Sequence, residues 1–366
     1  MFADIYKDKK VLVTGHTGFK GTWLTTWLLN LGANVVGISK DIPTKPSMFE
    51  ELKLEDRIKH YQENISDLSK IKNTIINEKP DFLFHLAAQP IVLTSYINPI
   101  DTITSNVMGT ANLLESLRVS NHKCTVIIIT SDKAYDNIEQ IWGYKENDSM
   151  GGKDIYSGSK GAAELIFKSY YHSFFKLSES NVRLAVARAG NVIGGGDWAK
   201  DRIVVDCMKA WSVGKIPEIR SPNATRPWQH VLEPLSGYLH LGAELTESDD
   251  LNGEPFNFGP DTKQNPTVEE LIIDLSKYWN FENKNSVYKK TNNTIFHEAK
   301  LLKLNCNKAL SKLKWSANLD YKDTVKFTSE WYYDFYKKDK KIFDKTFEQI
   351  TEYENMAKEK ALKWTE

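Results

Sequence analysis

Short β-branched apolar runs alternate along the first half of the chain with segments whose apolar residues recur every three to four positions. The runs "KVLVTG" (10–15), "NVVGIS" (34–39), "DFLFHLAA" (81–88), "TVIIIT" (125–130) and "VRLAVARAG" (182–190) predict strands. Between them "GTWLTTWLLNLG", "LSKIKNTIINEK", "NVMGTANLLESLRVS" and "YSGSKGAAELIFKSYYHSFF" carry helical spacing. Strands alternating with helices predict βαβ units and a parallel sheet covered on both faces. The strands show little polar alternation, as expected of parallel strands buried on both sides. The fold class expected is α/β with a doubly wound parallel sheet.

After about residue 190 the texture changes, and Gly, Asp, Trp and Pro become frequent in "NVIGGGDWAKDR" and "RSPNATRPWQH". "VEELIIDLSKYW" and "DTVKFTSEWYYDFYKK" predict helices there, and "KTFEQITEYENMAKEKALKW" predicts a charged amphipathic helix for the surface or for a partner subunit. The 366 residues suffice for one large domain or two modest ones. Lys+Arg and Asp+Glu balance at 48 each, which removes any bulk electrostatic case for nucleic acid or an acidic membrane. Cys124, Cys207 and Cys306 lie far apart without metal-ligand spacing, so neither a disulfide framework nor a metal is expected. No run approaches the length of a membrane span and no signal-peptide core is present, so a cytoplasmic protein is expected.

The first strand ends in "VLVTGHTGFKGTWL", with Gly15, Gly18 and Gly21 leading into a helix. Gly15 allows a tight turn, Gly18 lets the backbone approach a pyrophosphate, and Gly21 lets helix and strand pack closely. The helix N-terminus adds N–H groups for the phosphates. This predicts a Rossmann-type dinucleotide site, with Thr17, Phe19 and Lys20 in its loop. Asp41, just past the second strand, is placed to take the adenosine ribose, which favours NAD; Lys40 would instead favour NADP. Asp67 and Leu68 are candidates for the adenine side, with an N-cap as the alternative for Asp67. Leu86, Ala87 and Ala88 end another strand and would line the nicotinamide, with Gln89 facing the sugar. The domains expected are a cofactor-binding domain over 1–190 with a return segment near 228–245, a smaller substrate-binding α/β region over 191–345, and a C-terminal helix over 346–366.

Tyr156 and Lys160 in "YSGSK" stand one helical turn apart and face the same way. A lysine ammonium beside a phenol favours the phenolate, which gives a base for a sugar hydroxyl. Upstream, "ITSDKAYDN" sets Ser131, Asp132 and Lys133 at the end of an apolar strand. Together with "HLAAQP", "NVMGTANLLE" and "RAGNVIGGGDW", these motifs resemble the extended short-chain dehydrogenase/reductase (epimerase/dehydratase) family. "TSDKAYDN", "WGYKENDSMGG", "RPWQHVLEPLSGYL" and "HEAKLLKLNCNKA" are similar to its CDP-glucose 4,6-dehydratase branch, over nearly the whole chain.

The resemblance implies bound NAD, a nucleotide-sugar substrate (CDP-glucose), a homodimer, and conversion to the 4-keto-6-deoxy sugar. It implies that Tyr156 takes the O4 proton, that Ser131 stands where relatives keep threonine, and that Asp132 protonates the departing 6-hydroxyl. Lys133 stands where most relatives keep a glutamate base. Either it removes the C5 proton itself, or it stays charged, holds Asp132 and stabilises the enolate, with Tyr156 or water taking the proton. The resemblance further implies that Asn191 and Arg226 hold the diphosphate, with Arg202 a second arginine. Asn106, at the head of a helix in "SNVMGT", is a candidate on the cofactor side that either supports the tyrosine helix or simply caps. Trp198, Trp211 and Trp228 suit either a pyrimidine or the core, and His85 suits the core. The competing readings are a nucleotide-sugar 4-epimerase, a 4,6-dehydratase of a UDP-, dTDP- or GDP-sugar, and a non-catalytic NAD-binding scaffold.

Overall fold

The computed structural model describes residues 1–177, 179–261, 263–279, 281, 287–291, 301–338 and 341–366. The beginning of "HEAKLLKLNCNKA" lies outside them. Strands β1 (Lys10–Thr14), β2 (Asn34–Ser39), β3 (Lys59–Gln62), β4 (Phe82–His85), β5 (Cys124–Ile129) and β6 (Val182–Ala189) come from the first half of the chain. They are followed by β7 (Val192–Ile193), β8 (Glu218–Ile219), β9 (Gln229–His230), β10 (Pro255–Phe258) and β11 (Lys289–Lys290). The main sheet has seven strands in the order β10-β6-β5-β4-β1-β2-β3. Every neighbouring pair in it is parallel. Chain order runs outward in opposite directions from β1, so a crevice opens at the carboxyl ends of β1 and β4.

The helices are α1 (Phe19–Asn30), α2 (Met48–Glu51), α3 (Leu68–Glu78), α4 (Val92–Ile97), α5 (Pro99–Ile103), α6 (Gly109–Ser120) and α7 (Ile155–Tyr170). Beyond them lie α8 (Ile203–Ser212), α9 (Leu232–Leu245), α10 (Val268–Ser276), α11 (Asn307–Leu313), α12 (Tyr321–Lys337) and α13 (Ile342–Glu359). Successive strand residues point to opposite faces and feed two cores. Leu12, Leu83, Val126, Ile128 and Leu184 pack with Ile71, Leu113, Leu117 and Phe167 of α3, α6 and α7. Val13, Phe84, Ile127 and Ala185 pack on the other side with Trp23, Trp27, Leu235 and Leu239 of α1 and α9.

Two strands of the main sheet were not expected. β3 is a four-residue edge strand of half-buried and exposed residues, so no apolar run announces it. β10 returns from beyond residue 190 to pair with β6. The charged C-terminal helix also differs from the expectation, because α13 docks on the chain's own α1 and α12. Tyr353 stacks on Trp364, Trp364 stacks on Phe2, and Trp27 Nε1 donates to Glu354 Oε1 at 2.8 Å. Among the described residues no helix is long and apolar enough to cross a membrane.

Candidate active site

A cavity of ≈ 1280 Å³ follows the crevice from the glycine loop to α8 and β8. That exceeds the ~300–1,000 Å³ usual for one small ligand, so two fit end to end. At one end Gly15 has φ +75°, and a Cβ there would lie 2.7 Å from the Ala87 nitrogen. A Cβ on Gly21 would fall 2.1 Å from the Gly15 oxygen. Side chains are thus excluded where the strand turns into α1, whose N-cap is Gly18. Thr17 Oγ1 donates to the Asp41 carbonyl at 2.7 Å, which fastens the loop to the segment after β2. Phe19, Lys20, Asp41, Leu86, Ala87 and Ala88 also line this part of the cavity. The arrangement has the open backbone, helix N-terminus and ribose-side carboxylate that a dinucleotide requires.

The strand end after β5 delivers Ser131, Asp132 and Lys133 to the middle of the cavity, and α7 brings Tyr156 and Lys160 to the same place. Ser131 Oγ donates to Asp132 Oδ1 at 2.9 Å, and Ser131 also favours the ionised form of the Tyr156 phenol. Burial raises the Asp132 carboxyl above its usual range, opposed by Lys133, Ser131 and Lys20. A carboxyl raised in this way holds its proton more firmly than a free carboxylate, the direction that a proton donor needs. Burial also lowers the Lys160 ammonium to about 8, against the pull of Glu164. Burial and the charges of Lys160 and Arg202 bring Lys20 down to about 7.

The Tyr156 phenol differs from the expectation. Burial pushes it up to about 12, although the Ser131 bond and Arg202 work the other way. Lys160 Nζ lies 6.0 Å from the ring centroid, and desolvation outweighs its influence on the phenol. Lys133 is half-buried and lines the cavity; among the described residues its ammonium makes no ion pair.

Several residues behind this cluster were missed. Glu164, one turn beyond Lys160, accepts from Thr130 Oγ1 at 2.5 Å and from Arg188 Nη2 at 2.5 Å. Arg188 Nη1 donates to the Tyr135 hydroxyl at 2.5 Å, and that hydroxyl donates to Asn257 Oδ1 at 2.8 Å. The network ties α7 to the residues on both sides of Asp132. Gly190 touches Asp132 directly: a Cβ there would lie 1.9 Å from Oδ2. A charged pair inside apolar strand and helix patterns was the available signal for Glu164 and Arg188.

Of the residues expected at the cofactor or substrate, Asp67, Leu68 and Asn106 lie off the cavity, and Gln89 lines it with its side chain engaged elsewhere. Asp67 caps α3, its side chain accepting from the Ser69 and Lys70 nitrogens at 3.1 and 3.2 Å, and neither Asp67 nor the exposed Leu68 lines the cavity. Glu63, Asn64 and Ile65 line it instead, because β3 ends there. Gln89 lines the cavity, but its amide is committed to Thr102 Oγ1 at 2.9 Å and the Ile91 nitrogen at 2.6 Å. Asn106 is buried behind the wall in a π-helical turn, Thr104–Met108. It holds the Gln89 backbone and donates to Ser159 Oγ at 2.8 Å, and Ser159 in turn bonds the Tyr156 carbonyl at 2.7 Å. Asn106 therefore supports the tyrosine helix from behind the wall, away from any ligand. His85 is a core residue bonded to Thr14 and Thr110.

At the far end the cavity is lined by Asn191, Arg202, Arg220 and Arg226, together with Asp206, Ile219 and Trp228. Arg202 pairs with Asp197 at 2.8 Å, and Asn191 follows Gly190 with φ +52°. Arg220 and Asp206 were not foreseen, since the irregular sequence after residue 190 gives no period to count from. Trp198 and Trp211 are core residues, bonded to Tyr336 and Val287 at 2.9 Å each.

The chain as a whole resembles known proteins. The family model described as GDP-mannose 4,6 dehydratase matches residues 12–328. A CDP-glucose 4,6-dehydratase of Salmonella typhimurium is 43% identical over 332 residues, covering 90% of this chain and 92% of that protein. A UDP-glucose 4-epimerase of Thermotoga maritima superposes with a TM-score of 0.77 at 20% identity, covering 89% of this chain and 99% of the other. A dTDP-glucose 4,6-dehydratase of Bacillus anthracis, in complex with NAD, gives 0.74 at 18% identity, covering 92% and 99%.

Proposed function

The chain belongs to the GDP-mannose 4,6-dehydratase family, and from that premise we propose that it is an NAD-dependent lyase converting CDP-glucose to CDP-4-keto-6-deoxyglucose. One observation carries the choice of reaction: Asp132, buried with its carboxyl raised, sits beside Ser131 at the strand end that also faces Tyr156. A 4-epimerase has no hydroxyl to expel and no use for such an acid. The 43% identity to the Salmonella enzyme supports CDP-glucose as the substrate.

The Gly15–Gly18 turn and the α1 N-terminus would hold the NAD pyrophosphate, Asp41 its ribose, and Leu86–Ala88 its nicotinamide side. Bound NAD supplies the hydride acceptor for oxidation at C4 and returns that hydride to C6. Tyr156 would receive the O4 proton as a phenolate, a form that the Lys160 ammonium and the positive nicotinamide of bound NAD would have to favour against the burial that raises the phenol to about 12. The C4 ketone acidifies C5–H. Asp132 passes its proton to O6 as water leaves, and Lys133 acts at C5, either by removing the proton itself or by holding the enolate while Tyr156 or water takes the proton. Reprotonation at C5 closes the cycle.

Incubation with CDP-glucose should give a 4-keto product that absorbs in alkali. CDP-galactose as the product would instead establish an epimerase. We further propose a cytoplasmic homodimer joined through α6 and α7, where Met108 and Leu165 expose half or more of their surface. Light scattering on the intact protein and on a Leu165→Glu variant tests this: a dimer mass that the substitution halves supports it.

A further inference from the structure

The groups along the cavity place the substrate's base. Arg202 and Arg220 line the same cavity as Tyr156, where the reacting sugar carbons must lie, and stand at the N-cap of α8 and just past β8. With the sugar at Tyr156, the diphosphate falls among the arginines. The base then lies against the first turn of α8 and the strand β8. Val205, Ile219 and Val268 give that end apolar walls suited to a flat ring.

Four carboxylates line this end, and three of them have partners. Asp197 pairs with Arg202 at 2.8 Å, Glu218 with Lys289 at 2.8 Å, and Asp201 lies 3.9 Å from Arg220. Among the described residues the Asp206 carboxylate has no hydrogen bond or ion pair. Partial desolvation at the cavity wall and the neighbouring Asp201 push its carboxyl up to about 6, against Lys209 and Arg220, although the residue as a whole remains exposed. Mostly ionised at neutral pH, it offers its oxygens to a donor brought into the cavity.

Resting on the dehydratase reading above, we propose that Asp206 accepts a hydrogen bond from the exocyclic amino group of cytosine and so selects CDP-sugars over UDP- and dTDP-sugars. Cytosine carries an N–H donor at the position where uracil and thymine carry a carbonyl oxygen. A carboxylate can only accept, so it bonds the first and repels the others.

The test measures binding of CDP and UDP to the full-length protein and to its Asp206→Ala and Asp206→Asn variants, with CDP-glucose turnover of the unaltered protein alongside. Asp206→Ala should weaken CDP by about 10- to 100-fold and leave UDP within about twofold. Asp206→Asn, whose amide can donate to a carbonyl, should narrow the gap further by strengthening UDP. Retained UDP binding shows that each variant is folded. An unchanged CDP:UDP ratio in both variants overturns the proposal while CDP-glucose turnover leaves the dehydratase reading standing. Failure of the unaltered protein to turn over CDP-glucose overturns both.

Discussion

Gly190 and Asp132 constrain each other, since a Cβ on residue 190 would sit 1.9 Å from the carboxylate oxygen. Gly190→Ala should therefore push the acid out of place and reduce turnover by about 100-fold or more, the usual contribution of a positioned proton donor. A thermal melt within a few degrees of the parent would show that the loss is local. Lys133→Ala should likewise lose most turnover and keep NAD; turnover like that of the unaltered enzyme would remove Lys133 from the mechanism. Lys160 brings a pH dependence. Its ammonium is charged below about 8 and neutral above, so kcat/KM, which reports the free enzyme, should fall as pH rises through that value. The tyrosine–lysine pair and the Ser131–Lys133 triplet were legible because each lies at a fixed offset from a strong apolar pattern. Gly190 was not, because its role depends on two strands meeting side by side.

Among the elements, the glycine loop, the first two strands and α7 could be read from periodicity, since burial on both faces leaves an unbroken apolar run. β3 could not: its edge position leaves both end residues exposed. That omission also hid Glu63–Ile65, which line the cavity where Asp67 and Leu68, expected on the adenine side, do not. The C-terminal helix reads as a surface or partner element because one face is charged, yet its other face buries Ile350, Tyr353 and Ala357 completely. Trp364 is 1% exposed among Phe2, Trp27 and Tyr353. Trp364→Ala should accordingly cost about 3–5 kcal/mol in denaturant unfolding. A loss of dimer mass with unchanged stability would instead make this helix an interface element.

For the whole molecule, acid is the predicted weakness. Burial lowers His16, His85 and His230 from 6.5 to about 3. Between those values the unfolded chain takes up protons that the folded chain refuses, so stability falls as pH falls. Glu233 acts in the opposite sense, because burial raises it from 4.5 to about 7 and the folded state holds its proton there. Its opposition ends below 4.5, where Tm should drop most steeply in a series of melts from pH 7 to pH 3.

The return of the chain to the sheet also bears on synthesis. β6 pairs with β10, which lies some seventy residues later, and α9 between them covers one face of β5 and β6. Until residue 258 is available, Val182–Ala189 is an apolar edge strand with open hydrogen-bonding groups, a template for pairing with another chain. Contacts so distant in sequence also form slowly. A nascent chain that has already exposed every catalytic side chain from Ser131 to Lys160 is therefore still at its most aggregation-prone, and protection during translation matters most over the stretch that ends at β10.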